Sequence, residues 1–300
     1  MNAVLEKTKQ ETHFTSGRLS WLTHIVKNLN FYIPITILTV LFLTAIFAPQ
    51  LAPHDPIQIS MANRLKPPSF LAGGSPEYFL GTDHLGRDIL SRIIYGARIS
   101  LSISFLVIAI TATIGTILGI FAGYRGGRFE TIIMRVTDVS NSFPPLLLAL
   151  LLAVSMGPGF KTVVLALSIL GWAGYCRLIR GETLKLRNAD FVAQARIMGS
   201  SPGRIMLKHI FPNVVNPLLV IMTMGVGMLI LAEAGLSFLG VGVPPPFPTW
   251  GMMVNEGRAE ISRAWWMSAF PGLVIGAVVL SGNFLGDWLR DKLDPKLRQL

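Results

Sequence analysis

Charged residues are scarce in this chain. They make up 14% of its 300 residues, while 51% of the residues are hydrophobic. Soluble domains carry about a quarter charged residues. The composition therefore excludes an ordinary soluble domain and predicts a polytopic membrane protein of the all-α class.

Cysteine is nearly absent, and histidine is dispersed. The single cysteine, Cys176, excludes an internal disulfide and a metal cluster built on cysteines. We interpret it as a small buried apolar residue. The histidines are scattered along the chain, at His13, His24, His54, His84 and His209. We therefore predict no metal site.

The chain also lacks a glycine-rich phosphate loop of the form Gly-x4-Gly-Lys-Ser/Thr. Without one, it cannot hydrolyse ATP by the usual route. It offers no paired acids, histidine pair or nucleophile–base set at one membrane depth, so a membrane-embedded enzyme is disfavoured. Its regularly spaced glycines, Gly115, Gly119 and Gly123, instead predict close packing of membrane helices.

What the chain does have is long runs free of Asp, Glu, Lys, Arg and His. Five of them each reach the roughly 20 residues that cross a bilayer. They are residues 28–53, 99–124, 139–160, 210–232 and 264–286. A sixth run, residues 162–176, is shorter, but Arg177 and Arg180 extend it by snorkelling toward the headgroups. We predict six transmembrane helices, of which the fourth has the weakest signal.

Positive charge predicts the orientation. With the N-terminus in the cytoplasm, the inner segments hold 18 Lys and Arg residues and the outer segments hold 8. Cytoplasmic loops carry such an excess, so both termini are predicted inside. Residues 1–30 are then a cytoplasmic tail, since the apolar run that follows is too long for a cleavable signal peptide. The net charge of +10 is spread over four loops, which argues against nucleic-acid binding.

A hydrophilic segment, residues 190–213, stands between two of these runs and breaks at the Gly-Ser-Ser-Pro sequence of residues 199–202. On each side of the break, apolar residues recur with a helical period. They are Phe191, Val192, Ala195 and Met198, and then Ile205, Met206 and Ile210. We predict two short amphipathic helices joined by a hinge, with Ser201 capping the second and Pro202 in its first turn. An interfacial helix in the headgroup region is disfavoured, because the segment has few aromatic anchors.

The segment resembles the coupling loop of ABC importer permeases, whose pattern is Glu-Ala-Ala, three residues, Gly, nine residues and Ile-x-Leu-Pro. Ala195, Gly199 and Pro212 agree with it. The pattern positions where this chain departs hold Ala193, Gln194, His209 and Phe211. The resemblance implies that these positions couple the chain to an ATPase. We add Ile205 and Met206, whose apolar side chains are expected to seat in a groove of that partner.

Further blocks resemble the dipeptide, oligopeptide and nickel branch of this family, and specifically its second, C-type permease subunit. They read LGTDHLGRDILSR at 80–92, AGYRGG at 122–127, EAGLSFLG at 233–240, PTWG at 248–251 and GDWLRD at 286–291, followed by Leu293-Asp294-Pro295. The blocks run in the family's order from residue 80 to the C-terminus.

The resemblance implies a type I ABC importer permease in a bacterial or archaeal cytoplasmic (inner) membrane, surrounded by lipid. It implies a second, homologous and non-identical permease, two cytoplasmic ATPase subunits that bind ATP and Mg²⁺, and an extracytoplasmic substrate-binding protein. No cofactor is implied for this chain itself. Short peptides are the implied substrates, with chelated nickel or another small solute as the alternative. The expected boundaries are a first helix at 31–50, an outer loop at 51–97, a core at 98–290 with its coupling loop at 190–213, and a tail at 291–300.

Some residues at or near membrane depth are candidates for the pathway or a gate. Pro144 and Pro145 should kink or break the third helix. Glu233 is a candidate because acids at membrane depth are functional by default. We favour for it a hydrogen bond between subunits near a helix end. Asp138 is expected to pair with Arg135, three residues earlier on one helix face.

The outer loop contains alternating charges that resemble an acid–base site: Asp83, Arg87, Asp88 and Arg92. Opposite charges this close are expected to pair with each other instead. A more distant alternative for the whole chain is an ion-driven secondary transporter, in which Glu233 and Asp138 would carry the coupling. Against it, no inverted repeat is evident, and the coupling loop would have no purpose.

Overall fold

The computed structural model describes residues 29–293, and the regular structure within them is helical. In chain order the helices are α1 (Leu29–Ile46), α2 (Ala48–Leu51), α3 (Ile89–Arg125), α4 (Gly127–Ser142), α5 (Pro145–Met156), α6 (Phe160–Arg187), α7 (Asp190–Ile197), α8 (Pro202–Ile205), α9 (Phe211–Phe238), α10 (Trp250–Arg258) and α11 (Trp266–Leu293). A π-turn, Met206–Ile210, joins α8 to α9. Most of the predicted N-terminal tail, residues 1–30, and most of the tail at 291–300 lie outside the described residues.

Four helices of the described part are long and apolar enough to cross a membrane. They are α3, α6, the continuous helix Pro202–Phe238 and α11. The pair α4 and α5 makes a fifth span if it is counted as one. The apolar part of α1, Phe31–Ile46, is shorter than a full span. The structure thus yields four or five spans by length and composition, where the sequence predicts six.

The third predicted helix, residues 139–160, is not one helix. Helix α4 ends at Ser142, α5 begins at Pro145, and the two are bent by 81°. Pro144 precedes α5 with an extended backbone (φ −64°, ψ 121°). A residue followed by proline avoids the helical conformation, so two successive prolines end α4. The predicted break at Pro144 and Pro145 is therefore confirmed.

Helices α3 and α6 pack along the predicted glycine stripe. A Cβ at Gly115 would lie 2.5 Å from the Tyr175 Cβ, and one at Gly119 would lie 2.8 Å from the Cys176 carbonyl oxygen. Real Cβ atoms do not approach this closely, so larger residues would force the helices apart. The prediction of close helix packing is confirmed. Cys176 is fully buried in this contact, as predicted for a small apolar residue.

Helix α10 is fixed against the beginning of α3 by Trp250. The Trp250 side chain is fully buried, and its ring N–H donates to the Ile93 carbonyl at 3.0 Å. Gly96 permits the contact, because a Cβ there would lie 3.0 Å from the ring. This packing brings Glu256, less than two turns farther along α10, to the first turn of α3.

Candidate functional site

The hinge in segment 190–213 is the C-terminal end of α7, which Gly199 terminates. Gly199 has φ +76°, a left-handed conformation that strains residues with a Cβ. The Ser200 N–H donates to the Ala195 carbonyl at 3.0 Å, and the Gly199 N–H donates to the Arg196 carbonyl at 2.9 Å. These bonds satisfy carbonyls that would otherwise be left unpaired at the end of α7. The hinge position predicted from the sequence is confirmed.

After the hinge, Ser201 caps α8 as predicted. Its hydroxyl oxygen accepts from the Arg204 N–H at 3.4 Å, and Pro202 lies in the first turn. The second helix is not a separate short one, however, because α8 runs through the π-turn directly into α9. Pro212 has no N–H to donate, which weakens the α-helical ladder at this point. The Phe211 N–H instead reaches back five residues, to the Met206 carbonyl.

Each predicted apolar stripe has an inner part that the chain's own helices cover. The inner residues, each at most 2% exposed, are Val192, Ala195, Ile205 and Ile210. They pack in one cluster with Ile120 of α3, Ile179 of α6 and Val214 of α9. The expectation that Ile205 offers an apolar face to a partner is therefore wrong, and Ala195 is equally inaccessible. Their burial makes the segment a firmly packed part of the bundle.

The exposed apolar surface of the segment includes two residues of the first stripe, Phe191 and Met198, and two residues outside both stripes, Ile197 and Leu207. Ile197, Met198 and Leu207 are 86%, 79% and 72% exposed. Of the other predicted coupling positions, the exposed ones are Ala193, Gln194, Gly199, Phe211 and Pro212, and the half-buried ones are Met206 and His209. Ile197 was missed because it falls outside the helical stripe. An apolar residue on the polar face of an amphipathic helix was the available signal.

At the other end of α3, four charged side chains form a buried network. The Arg87 Nε donates to Asp83 Oδ2 at 2.6 Å, and the Arg92 Nη1 donates to the same oxygen. Both arginines also donate to Glu256 Oε2, at 3.0 Å from Arg87 and 2.6 Å from Arg92. The predicted mutual pairing is confirmed for Asp83, Arg87 and Arg92. Glu256 was missed, since it lies 164 residues from Arg92 and carries no local signal.

The network holds Asp83 in its charged form. Burial alone would raise the pKa of this carboxyl, but the charges of Arg92 and Arg87 outweigh burial. Backbone N–H groups of Arg87 and Leu85 add to the effect, so the pKa lies below its ordinary value. Asp83, His84 and Glu256 place candidate metal-ligand atoms within 4.8 Å of one another. The two carboxylates are already engaged by guanidinium groups, whose positive charge opposes a cation.

Asp88 does not join this network. Its carboxylate caps α3, accepting from the Ser91 N–H at 2.8 Å and from the Ser91 hydroxyl at 2.6 Å. The Nδ1 atom of His54 lies 3.7 Å from the same carboxylate oxygen. The pairing predicted for the alternating charges thus fails for Asp88, because helix capping takes its oxygen.

Glu233 is fully buried within this chain. Its carboxyl oxygens accept from the Ser237 hydroxyl at 2.7 Å and from the Ser100 hydroxyl at 3.1 Å. Both partners belong to the chain itself, so the expected hydrogen bond between subunits is wrong. The carboxyl ties α9 to α3.

Asp138 pairs with a different arginine from the one expected. Its carboxylate accepts from Arg177 Nη2 at 2.8 Å, and both side chains are exposed. The expected pair with Arg135 is wrong, because α6 packs beside α4 and brings Arg177 to this position. Arg180, one turn later on α6, pairs with Glu130.

Comparison with known proteins places these features in a family. The profile described as "Binding-protein-dependent transport system inner membrane component" matches residues 115–299, and "N-terminal TM domain of oligopeptide transport permease C" matches residues 26–68. The dipeptide transport system permease protein DppC of Haemophilus influenzae is 43% identical over 257 residues, which are 86% of this chain and 87% of that protein. The glutathione transport system permease protein GsiD of Pectobacterium atrosepticum is 43% identical over 263 residues, covering 87% and 86%.

A solved structure shares the fold. The MetNI methionine ABC transporter, in an inward-facing conformation, superposes with a TM-score of 0.57 at 16% identity. The match covers 69% of this chain and 98% of the MetNI chain. Nearly the whole of that chain therefore has a counterpart here.

Proposed function

We propose that the chain, which belongs to the family of binding-protein-dependent transport system inner membrane components, forms a translocation pathway for short peptides. It does so as a multi-pass component of an ABC importer, together with a second, homologous and non-identical permease. The chain is a transport component and not an enzyme. The observation that carries the substrate class is the agreement of its named relatives, a dipeptide permease and a glutathione permease, on small peptides. Chelated nickel or another small solute is the alternative cargo.

The proposed topology has six spans with both termini in the cytoplasm. The spans are α1, α3, the bent pair α4–α5, α6, the helix Pro202–Phe238 and α11. The excess of Lys and Arg on the segments that become cytoplasmic supports this orientation. The first helix then occupies residues 31–50, the outer loop 51–97 and the permease core 98–290. The remaining residues, 291–300, form a cytoplasmic tail.

Segment 190–213 is the proposed joint with the ATPase subunits, which bind ATP and Mg²⁺ on the cytoplasmic side. The tip of the segment, Ile197 and Met198, offers exposed apolar side chains. It lies next to the exposed residues Ala193 and Gln194. Such a face can dock in a groove of a partner. The buried residues Ala195 and Ile205 transmit the push, since they pack against α3, α6 and α9. Closure of the ATPases on ATP would then rock the bundle between inward-open and outward-open states.

Other coupling positions have structural roles in this proposal. Gly199 closes α7 and sets the direction of the hinge, while Pro212 lies where the π-turn passes into α9. Met206 and His209 lie on that π-turn and Phe211 follows it. Together they link the tip to a membrane-spanning helix.

The pathway itself is proposed to pass the break at Pro144 and Pro145. Both prolines are exposed in this chain, and a break between α4 and α5 frees backbone carbonyls that can line a polar route. Glu233 supports the gate indirectly, by holding α9 to α3 through Ser100. Substrate would arrive from an extracytoplasmic binding protein on the opposite side from the ATPases.

The joint is tested by Ile197→Asp combined with Met198→Asp in the complete transporter. We expect ATP-driven dipeptide uptake to be abolished and the ATPase subunits to be lost on purification of the permease. The amount of folded permease should stay normal, because both side chains are exposed. Asn188→Asp is the matched control for added charge, because Asn188 is exposed and lies between α6 and α7.

Ile205→Asp is the contrasting variant. It places a charge in a closed apolar cluster, so it should reduce the amount of folded permease rather than uncouple a normal amount. The proposed joint is wrong if the tip variant transports and retains its ATPases normally. The cargo is tested separately, by uptake of a labelled dipeptide against uptake of a nickel chelate. Nickel uptake without peptide uptake would select the alternative.

A further inference from the structure

Three arginines converge on one cavity at the end of α3, next to the hinge. The cavity has a volume of 420 Å³ and is lined by Arg125, Arg187 and Arg196 together with Pro202 and Met206. The arginines come from the end of α3, the end of α6 and α7, and Pro202 begins α8. Four helices therefore meet around it, and two of them, α7 and α8, belong to the proposed joint.

The positive charge in this cavity has no counter-ion among residues 29–293. No carboxylate of that part of the chain lies within 4.0 Å of any of the three guanidinium groups. Glu130, an acid on neighbouring α4, is engaged by Arg180. Three arginines around one cavity, each without a salt bridge to the described residues, attract an anion.

Aromatic rings and carbonyls hold the arginines in place. The Arg125 guanidinium lies 4.9 Å from the centre of the Phe129 ring, and that of Arg196 lies 5.3 Å from the centre of the Tyr124 ring. Arg187 donates to the Gly123 carbonyl at 3.5 Å. These contacts orient the side chains without neutralising them. The cavity is consequently a preorganised site for an anion.

An apolar cavity of 500 Å³ adjoins it. The two cavities share Phe121 and Met206 as walls, and the apolar one extends along α3 past Ile117 to Ala109. Thr116 also lines it, at 4% exposure, and its hydroxyl has no hydrogen-bond partner within the described chain. Thr116 lies five residues before Phe121, or roughly 7 Å deeper along the helix axis.

We propose that the two cavities together bind one anionic phospholipid, with its phosphate between Arg125, Arg187 and Arg196 and an acyl chain in the apolar cavity. Basic pockets between membrane helices at the cytoplasmic surface bind such headgroups. A free phosphate or an acidic protein loop would use the arginine cavity alone and leave the adjoining apolar cavity unexplained. Assignment of the site to the inner leaflet rests on the proposed function and its topology. Bound there, the lipid cross-links α3, α6, α7 and α8 at the joint.

The test compares lipid retained by the complete transporter after purification from nanodiscs of phosphatidylcholine mixed with phosphatidylglycerol. The variants are Arg187→Gln, Arg196→Gln and their combination, with Arg128→Gln and Arg204→Gln as controls at exposed arginines that do not line the cavity. We expect phosphatidylglycerol retention to fall about fivefold for each cavity arginine, since one basic side chain contributes about 1 kcal/mol at an anionic surface. The controls should retain it.

Thr113→Trp distinguishes a lipid from other anions. Thr113 is an exposed wall of the apolar cavity, so tryptophan there fills the acyl-chain site and leaves the arginines intact. We expect it to lower phosphatidylglycerol retention as well. Unchanged retention in the arginine variants overturns the proposal, as does loss in those variants without loss in Thr113→Trp. Loss of ATPase subunits with unchanged lipid would assign the arginines to a protein partner instead.

Lipid retention needs no transport, so the two proposals fail separately. A transporter that retains phosphatidylglycerol as expected but takes up no peptide refutes the proposed cargo and keeps the lipid site. In nanodiscs of phosphatidylcholine alone, we expect ATP hydrolysis that responds poorly to the loaded binding protein. Phosphatidylglycerol should restore the response in the wild type and not in the double arginine variant.

Discussion

The two ends of α3 handle charge in opposite ways. At its beginning, Asp83, Arg87, Arg92 and Glu256 form a closed, largely buried network in which both arginines pair with both carboxylates. At its end, Arg125 lies in a cavity with two further arginines and no acid partner within the described residues. The helix of 37 residues separates these ends by about 55 Å. A network that is closed within the chain stabilises a fold, whereas charges left open are available for a partner or a ligand.

The largest effect is expected from removing one charged side chain of the network at the beginning of α3. Arg92→Met leaves Arg87 alone against the carboxylates of Asp83 and Glu256. One negative charge is then uncompensated in a largely buried place, which should lower the free energy of unfolding by about 3–5 kcal/mol. Thermal unfolding of the purified permease measures it. Arg64→Met is the control, since its pair with Glu260 is long, at 3.7 Å, and half exposed.

The double variant Arg92→Met with Glu256→Leu sharpens this result. Removing both partners leaves no unpaired buried charge, and apolar replacement of a buried pair is often neutral. We expect it to recover most of the stability that Arg92→Met loses. A double variant as unstable as the single one would show that packing, and not charge, is what Arg92 contributes.

The second-largest effect is expected from acid, which should weaken the charged network at the beginning of α3. The pKa of Asp83 is lowered in the folded protein, so its contribution to stability is fully present above the unfolded pKa of about 3.9. That contribution is lost as the pH falls through the folded pKa. Unfolding temperatures measured from neutral pH down into this range should therefore fall for the wild type. For Asp83→Asn the fall should be smaller, and equal slopes for the two proteins would contradict the assignment.

The smallest effect is expected near the open end. Arg177 and Asp138 form a pair that is more than half exposed, so Arg177→Gln should change the free energy of unfolding by less than about 1 kcal/mol. Arg180→Gln breaks a less exposed pair with Glu130 and should have an effect between those of Arg177→Gln and Arg92→Met. Denaturation of the three variants under one condition gives the order. Any other order would contradict the conclusion that the charge network at the beginning of α3 contributes more stability than the pairs near its end.

Local chemistry in the sequence predicted several details of the hinge correctly. Gly199 ends α7, Ser201 caps α8 and Pro202 lies in its first turn, because each role depends on conformations of a few neighbouring residues. The break at Pro144 was predictable for the same reason. The long helix through the π-turn was not, since the sequence predicted a separate short helix after the hinge.

Predictions that depended on distant neighbours fared worse. Helical periodicity showed that Val192 and Ala195 share a face, but not that α3 and α6 cover it. Glu233 was expected to bond across subunits and instead bonds to Ser100, 133 residues away. The spacing of three residues suggested Arg135 as the partner of Asp138, whereas the packing of α6 supplied Arg177.

The sequence by itself determined the class of this protein: few charges and long apolar runs define a polytopic helical membrane protein. Composition and period suffice for that class, because the need to bury apolar surface acts on every residue along the chain. The permease family came from the resemblance of its sequence blocks to known permeases. Only the tertiary structure decided which side chains of the hinge are enclosed and which charges are paired. Those outcomes depend on helices brought together from distant parts of the chain. Helix α10 carries Glu256 to Arg92, while Arg125, Arg187 and Arg196 meet with no acid partner among residues 29–293.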